Sequence, residues 1–211
     1  ADYDDEVSPE ALPSALIARV SLAAASVNCH GTMIKRDMLG GWRAEGNMSE
    51  AALKVAAYKG HLEDGGALAQ QLQVQHARMA SLEVPFNSSR KMSATVHEVP
   101  PSASLASLVF EEDISHYAIL KGAPDKVLPH VRRMLQLYEG SHTLHVSETE
   151  ITSEETALIQ EQNAAFACRA LRSLLMAVRP LMPVEVEALR AAGSTDERLE
   201  LLKQGPLTFL S

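Results

Sequence analysis

The stretch Tyr117-Ala118-Ile119-Leu120-Lys121-Gly122-Ala123-Pro124 has the pattern of a buried strand that turns directly into a helix. An apolar run precedes the lysine, and proline is suited to the first turn of a helix, where its missing N–H is not needed. Gly122 has no Cβ and so lets the main chain approach a ligand closely. The stretch predicts a cationic rim at the end of a strand.

Two polar motifs lie upstream of this rim and one arginine lies downstream. The motifs are Gly46-Asn47-Met48-Ser49-Glu50 and Pro85-Phe86-Asn87-Ser88-Ser89-Arg90-Lys91, and the arginine is Arg172. In this order they resemble the nucleotide-binding domain of P-type cation-transporting ATPases, over about residues 20–209. The resemblance implies an α+β fold in which helices pack against an antiparallel β-sheet.

Some segments are similar to particular pumps within this family. Ser26-Val27-Asn28 and Pro85-Phe86-Asn87-Ser88 resemble plasma-membrane calcium pumps, whereas Ser49-Glu50-Ala51-Ala52-Leu53 resembles sodium pumps. We favour a calcium pump, although the resemblance implies that the ion is chosen by membrane helices outside this sequence.

Composition favours one folded domain. The 211 residues are 46% hydrophobic and 22% charged, which suits a single core. We expect a flexible acidic terminus at residues 1–8 and one nucleotide-binding domain over residues 9–211.

No apolar run approaches the roughly 20 residues that span a bilayer. The absence of an initiator Met suggests a piece of a larger pump, without its phosphorylation, actuator and transmembrane domains.

Charge and cysteine content narrow the possible partners. The formal net charge of −8 argues against nucleic acid, whose phosphates require clustered Lys and Arg. Cys29 and Cys168 are far apart in sequence, so neither a disulfide framework nor a zinc site is expected. His142 and His145 would point to opposite faces of a short strand, so we predict no metal site.

Local patterns predict the order of the elements. We expect helices over residues 9–27, 47–60, 67–80, 124–137, 153–170, 183–192 and 195–203. Strands are predicted over residues 82–86, 91–99, 105–110, 114–120, 171–178 and 207–210, with a loop over residues 28–46. Asn47 with Glu50, and Thr152 with Glu155, match capping boxes.

The resemblance implies that Phe86 stacks on adenine and that Lys91 lies in the same pocket. A core position for the ring and a solvated position for the lysine are the alternatives. Five residues separate the two, so the turn at Asn87-Ser88-Ser89 is needed to bring them together. Reticulum-type calcium pumps have an arginine where this chain has Ser88, which leaves the role of Arg90 open.

The remaining site residues are also implied by the resemblance. Glu50 either contacts the adenine side of ATP or caps a helix, or does both. Lys121, Gly122 and Ala123 match the family's pocket rim. Arg172 is expected to reach the phosphates or ribose beside Leu174, with an ion-paired arginine as the alternative.

These residues predict an ATP-binding domain that positions the γ-phosphate for transfer to an aspartate on a separate phosphorylation domain. The Asp-Lys-Thr-Gly-Thr motif that holds this aspartate is absent from the sequence, so we expect ATP binding without hydrolysis and with little dependence on Mg²⁺. Expected partners are ATP and the phosphorylation and actuator domains, in a monomeric cytosolic domain of a membrane protein. The alternatives are a non-enzymatic interaction module and an independent nucleotide-processing enzyme.

Overall fold

The computed structural model describes residues 12–29, 31–36, 38, 41–59, 75–99, 114–137, 144–147 and 149–210. Within these residues the helices are α1 Leu12–Asn28, α2 Met48–Lys59, α3 Pro124–Val127, α4 Ser153–Cys168, α5 Pro183–Ala191 and α6 Thr195–Gln204. The strands are β1 Met33–Arg36, β2 Trp42–Glu45, β3 Val84–Asn87, β4 Met92–Glu98, β5 His116–Gly122, β6 Val131–Leu137, β7 Leu144–Val146, β8 Leu175–Leu181 and β9 Leu207–Phe209.

The main sheet of the described residues has seven strands in the order β3-β4-β5-β8-β9-β6-β7. Neighbouring strands are antiparallel except β6 and β9, which run parallel. β1 and β2 form a separate antiparallel hairpin. The predicted α+β class is confirmed, with an antiparallel-rich mixed sheet.

Helices cover both faces of this sheet. Tyr117 and Ile119 of β5 pack in a core that includes the α1 residues Val20 and Val27. Their neighbours Ala118 and Leu120 point to the opposite face and join the core beneath α5 and α6. Because successive strand residues alternate between faces, a strand covered on both sides is apolar throughout. This explains the uninterrupted apolar run that precedes Lys121.

One predicted helix is wrong over most of its length. The helix expected over residues 124–137 ends after the single turn α3 and a 3₁₀ turn at Leu128–His130. Residues Val131–Leu137 then form β6, which lies between β9 and β7. Pro129 cannot donate a main-chain hydrogen bond, and the pairing with β9 joins segments far apart in sequence. Local periodicity therefore gave no sign of this strand.

Other boundaries also differ from the predictions. The predicted loop over residues 28–46 contains the hairpin of β1 and β2. Of the helix predicted over residues 67–80, residues 67–74 lie outside the described part, and Arg78 forms a β-bridge with His97 instead of a helical turn. The strand predicted over residues 105–110, the N-terminal residues 1–8 and His142 also lie outside the described residues.

The strand predicted over residues 171–178 begins later, at Leu175. The four residues before it connect α4 to β8 without joining the sheet. Helices α1, α2, α4, α5 and α6 agree with prediction within a few residues at their described ends. The capping box of α4 is confirmed, since Thr152 and Glu155 bond reciprocally.

Candidate functional site

One cavity of about 470 Å³ is lined by all eight residues that the sequence singled out. These are Glu50, Phe86, Lys91, Lys121, Gly122, Ala123, Arg172 and Leu174. The cavity lies where β5 ends, between the start of α2, the turn after β3 and the connection into β8. Segments more than a hundred residues apart in sequence therefore meet at one site. What the cavity binds stays a prediction.

Five further residues line the cavity that sequence reasoning did not assign to a site. They are Asn47, Ser49, Ser88, Ser93 and Ser173. Asn47, Ser49 and Ser88 belong to the quoted motifs and could have been included on that ground. Ser93 enters because it pairs across the sheet with Lys121. The cross-strand register that places it there cannot be read from one strand alone.

Phe86 projects its ring at the edge of the cavity. It lies on β3, and 58% of its surface is exposed, whereas most phenylalanines are buried. The alternative of an ordinary core ring is therefore excluded. An exposed aromatic face beside a cavity is suited to stacking on a flat ligand.

The turn after β3 brings Lys91 to the same cavity as Phe86. The N–H of Lys91 donates to the carbonyl oxygen of Asn87 at 2.7 Å, which closes the turn. The Asn87 side chain accepts a bond from the N–H of Ser89 at 2.8 Å and supports the turn from within. Lys91 has a φ of +52° and precedes β4, so it is a turn residue and not a strand residue.

Arg90 does not line this cavity. Its Nη1 atom lies 2.7 Å from Oδ1 of Asp196, in the first turn of α6, and its Nη2 atom donates to the carbonyl oxygen of Pro85. Arg90 therefore ties the turn to α6 and to the residue before Phe86. The sequence left the role of Arg90 open. In the structure its guanidinium bonds to other parts of the protein, so we assign it a structural role.

Glu50 and Asn47 form only half of the predicted capping box. The Asn47 side chain accepts from the N–H groups of Ser49 and Glu50, at 2.9 and 3.3 Å, and so caps α2. The N–H of Asn47 donates to the Thr32 hydroxyl at 3.1 Å. The Glu50 carboxylate instead reaches Lys121, with 3.2 Å between Oε1 and Nζ. The carboxylate of Glu50 is therefore part of the cavity wall.

Lys121 is buried at the end of β5, with only 6% of its surface exposed. Its ammonium group contacts Glu50 and also lies 3.5 Å from the Sγ atom of Cys29. Burial raises the pKa of the Cys29 thiol above its ordinary value, although the nearby Lys121 charge opposes this effect. The thiol is thus a neutral group behind the charged wall.

Arg172 reaches the cavity from the connection between α4 and β8. Ala170, with a φ of +57°, ends the helix and redirects the chain. Arg169 is the C-cap of α4 and does not line the cavity, so the choice of Arg172 over Arg169 agrees with the geometry. Among the residues that the structure describes, no carboxylate forms a salt bridge with Arg172 or with Lys91. The ion-paired alternative for Arg172 finds no partner within this part of the chain.

The cavity is positively charged on an acidic chain. Three cationic side chains line it, namely Lys91, Lys121 and Arg172, against the single carboxylate of Glu50. The formal charge of the lining is therefore +2, from three minus one, whereas the whole chain carries −8. A local excess of cations beside an aromatic ring favours an anionic ligand that has a flat apolar part.

A smaller cavity of about 220 Å³ adjoins this site. The two share Glu50, Phe86 and Ser93 in their walls.

Within the described ranges, no group of three or more His, Cys, Asp and Glu side chains is placed to hold a metal ion. No helix in that part of the chain is both long enough and apolar enough to cross a membrane.

The fold and the cavity define an α+β domain with a cationic pocket beside an exposed aromatic ring. The family described as "P-type ATPase, cytoplasmic domain N" matches residues 18–210, and the chain belongs to this family. The predicted family is thereby confirmed.

Individual relatives agree with this assignment. The chain is 36% identical over 199 residues to "P-type sodium-transporting ATPase4" of Toxoplasma gondii and 30% identical over 187 residues to the protein of that name in Plasmodium falciparum. It is 29% identical over 165 residues to "Calcium-transporting ATPase" of Bacillus subtilis. These matches cover 89%, 86% and 78% of this chain but only 15% of each relative.

Proposed function

We propose that this domain binds ATP in the cavity between Phe86 and Arg172. Phe86 stacks on the adenine ring, and the cations Lys91 and Arg172 receive the phosphates. Lys121 and Glu50 form the wall beside them. The observation that carries the proposal is the net positive lining of this cavity beside an exposed ring, on a chain of net charge −8.

In the larger protein, the domain would present the γ-phosphate of ATP to an aspartate on a separate phosphorylation domain. Carboxylate attack would form an aspartyl phosphate, and this domain would contribute the position of ATP. Alone it binds ATP without hydrolysing it. Mg²⁺ adds little to binding here, because the cavity supplies cationic side chains and only one carboxylate, Glu50.

We place the domain on the cytosolic side of a membrane-embedded cation pump, as a monomer that contacts the phosphorylation and actuator domains. Two of the named relatives are sodium-transporting ATPases and one is a calcium-transporting ATPase. Our preference for calcium therefore has support from only one of them. The ion is decided by helices outside this chain, and transport of the intact protein would have to be measured.

The deciding experiment is a calorimetric or NMR titration of the domain with ATP, with Mg²⁺ and with EDTA. Loss of a base-stacking ring costs about 1–3 kcal/mol, so Phe86→Ala should weaken binding roughly 5- to 150-fold. Phe166→Ala removes another exposed ring, on α4, that does not line the cavity, and should leave affinity unchanged.

Lys91→Ala is the second test variant, and Lys35→Ala is its control. Lys35 is an exposed lysine on β1 that pairs with Glu45. Saturable binding that survives EDTA and is weakened by Phe86→Ala and Lys91→Ala alone supports ATP binding at this cavity. Binding that is absent, or indifferent to Phe86 and Lys91, favours an interaction module. Turnover of ATP by the domain itself would instead indicate an independent enzyme.

A further inference from the structure

The carboxylate of Glu50 is held from two sides by residues of different kinds. Its Oε1 atom faces Lys121 Nζ at 3.2 Å, and its Oε2 atom accepts a hydrogen bond from the Thr32 hydroxyl at 3.1 Å. Thr32 is fully buried and does not line the cavity. A residue behind the wall thus fixes the orientation of a carboxylate in the wall.

Thr32 is itself held by contacts from α2 and from the segment that leads into it. The N–H of Asn47 donates to its hydroxyl at 3.1 Å, and Nζ of Lys54 donates to its carbonyl oxygen at 2.5 Å. Gly46 has a φ of +112°, and a Cβ there would lie 2.6 Å from the carbonyl oxygen of Gly31. The start of α2 can pack this closely on Thr32 only because residue 46 is glycine.

The hydroxyl of Thr32 has both of its hydrogen-bonding functions in use. It accepts from the N–H of Asn47 and lies within donating distance of two acceptors, Oε2 of Glu50 at 3.1 Å and the carbonyl oxygen of Asn47 at 3.3 Å, of which the Glu50 carboxylate is the nearer and the charged one. Valine has the same shape but neither function, so it would leave the N–H of Asn47 without this acceptor and Glu50 without its second anchor. Serine retains both functions. A comparison of Thr32→Val with Thr32→Ser therefore distinguishes the effect of losing the hydroxyl from the effect of changing the side-chain volume.

Resting on the proposed function, we propose that Thr32 is a positioning residue that sets the selectivity of the cavity for a nucleotide over a bare polyphosphate. By fixing Glu50 against Lys121, it keeps that ammonium at the wall. The phosphates of ATP are then bound by Lys91 and Arg172 and not by Lys121. Without the Thr32 hydroxyl, Glu50 loses the orientation in which it faces the adenine side of ATP, and it releases Lys121 as a third cation for phosphate. A bare polyphosphate gains the cation without losing a contact, whereas ATP loses the contact of Glu50 with its nucleoside part.

The test compares Thr32→Val and Thr32→Ser for binding of ATP and of inorganic tripolyphosphate. With Thr32→Val, ATP should bind about 5- to 10-fold more weakly, in line with the loss of one typical hydrogen bond and of the Glu50 orientation that this bond maintains. Tripolyphosphate should bind as well as before or more tightly. Thr32→Ser should restore the ATP-to-tripolyphosphate ratio of the original chain. Equal weakening of both ligands, or no rescue by serine, would overturn the proposal.

A double-mutant cycle with Glu50→Ala tests whether Thr32 acts through Glu50. If it does, Thr32→Val has no further effect on ATP affinity once Glu50 is alanine. Effects that simply add would mean that Thr32 supports the fold and has no positioning role. Thermal unfolding of each variant reports the stability separately from the affinity.

A measurement made without nucleotide distinguishes a failure of the positioning role of Thr32 from a failure of the proposed ATP binding. The rate at which acetic anhydride modifies Lys121, followed by mass spectrometry, should rise severalfold in Thr32→Val and return in Thr32→Ser. Such a change in a domain that binds no ATP would refute the proposed function and retain the positioning role. An unchanged Lys121 rate in a domain that does bind ATP would refute the positioning role alone.

Discussion

The main chain of Lys91 passes so close to Gly122 that a Cβ at residue 122 would lie 2.5 Å from the Lys91 carbonyl oxygen. The same oxygen accepts the N–H of Ala123 at 3.0 Å. The turn that carries one cation is therefore fastened directly to the strand end that carries another, Lys121. The absence of a side chain at residue 122 makes this contact possible.

Gly122→Ala should destabilise the domain and distort the cavity. The nearest atoms, the Lys91 oxygen and Met92 Cα, belong to the backbone and cannot move aside as a side chain would. We expect a loss of about 1–3 kcal/mol and a melting temperature lower by roughly 2–10 °C. Gly193→Ala is the control, since its Cβ would meet only Glu197 Oε2 at 3.7 Å. Equal melting temperatures for both variants would contradict the close contact.

Arg90→Ala should affect stability more than ATP binding. The side chain bonds Asp196 and the Pro85 carbonyl, and the partner Asp196 is largely exposed, so we expect a loss of about 1 kcal/mol. ATP affinity should stay within about twofold, in contrast to Lys91→Ala with an expected loss near tenfold. Titrations of both variants at two salt concentrations check this. An Arg90 effect as large and as salt-dependent as that of Lys91 would indicate a phosphate contact.

The buried imidazole of His76 should make stability depend on pH. Burial lowers the pKa of His76 below its ordinary value of 6.5. As the pH falls below about 6.5, the unfolded chain takes up a proton that the folded chain does not, so the free energy of unfolding decreases. Above that pH the group contributes no slope. Denaturant unfolding between pH 5 and pH 8 should show this decrease, and His76→Gln should reduce it by up to about 1.4 kcal/mol per pH unit.

Tyr117→Phe tests whether burial or the hydrogen bond to Tyr117 lowers the pKa of His76. The Tyr117 hydroxyl lies 2.9 Å from Nδ1 of His76, but burial is the cause of the lowered pKa. The variant should therefore keep the pH slope while losing some stability at every pH. The pKa of His130 is lowered too, chiefly by burial, and this contribution is common to all the variants compared. A slope lost in Tyr117→Phe would assign the effect to the hydrogen bond instead.

The two cysteines should differ in reactivity. Cys29 is fully buried and burial raises its pKa, whereas Cys168 is exposed at the end of α4. Because the thiolate is the reactive form, iodoacetamide at pH 7 should modify Cys168 at least about tenfold faster. Peptide mass spectrometry over time measures both rates in one sample. Comparable rates would show that the wall formed by Lys121 and Glu50 opens readily.

The eight residues proposed for the site could be selected from sequence because their motifs are local. A strand that turns into a helix, a capped helix start and a polar turn each depend on neighbouring residues, and the order of the motifs matched a family. The cavity of about 470 Å³ brings these residues together as the prediction required. Binding of ATP there remains for the titrations to decide.

The errors share one physical cause. β6 was predicted as helix because its own residues have helical spacing, and it is a strand because β9, some seventy residues later, pairs with it in parallel. The hairpin of β1 and β2 was missed, and residues 76–79 were given to a helix, for similar reasons. Strand pairing joins distant segments, so its contribution to stability is absent from any local window.

The sequence by itself determined the α+β class, the family and eight of the thirteen residues that line the cavity, since these follow from local patterns and ordered motifs. The tertiary structure alone decided how the charged groups are used. It paired Glu50 with Lys121, placed Thr32 behind that pair and engaged Arg90 with Asp196. Hydrogen bonds and ion pairs act over about 3 Å, so only the folded chain fixes which partners meet.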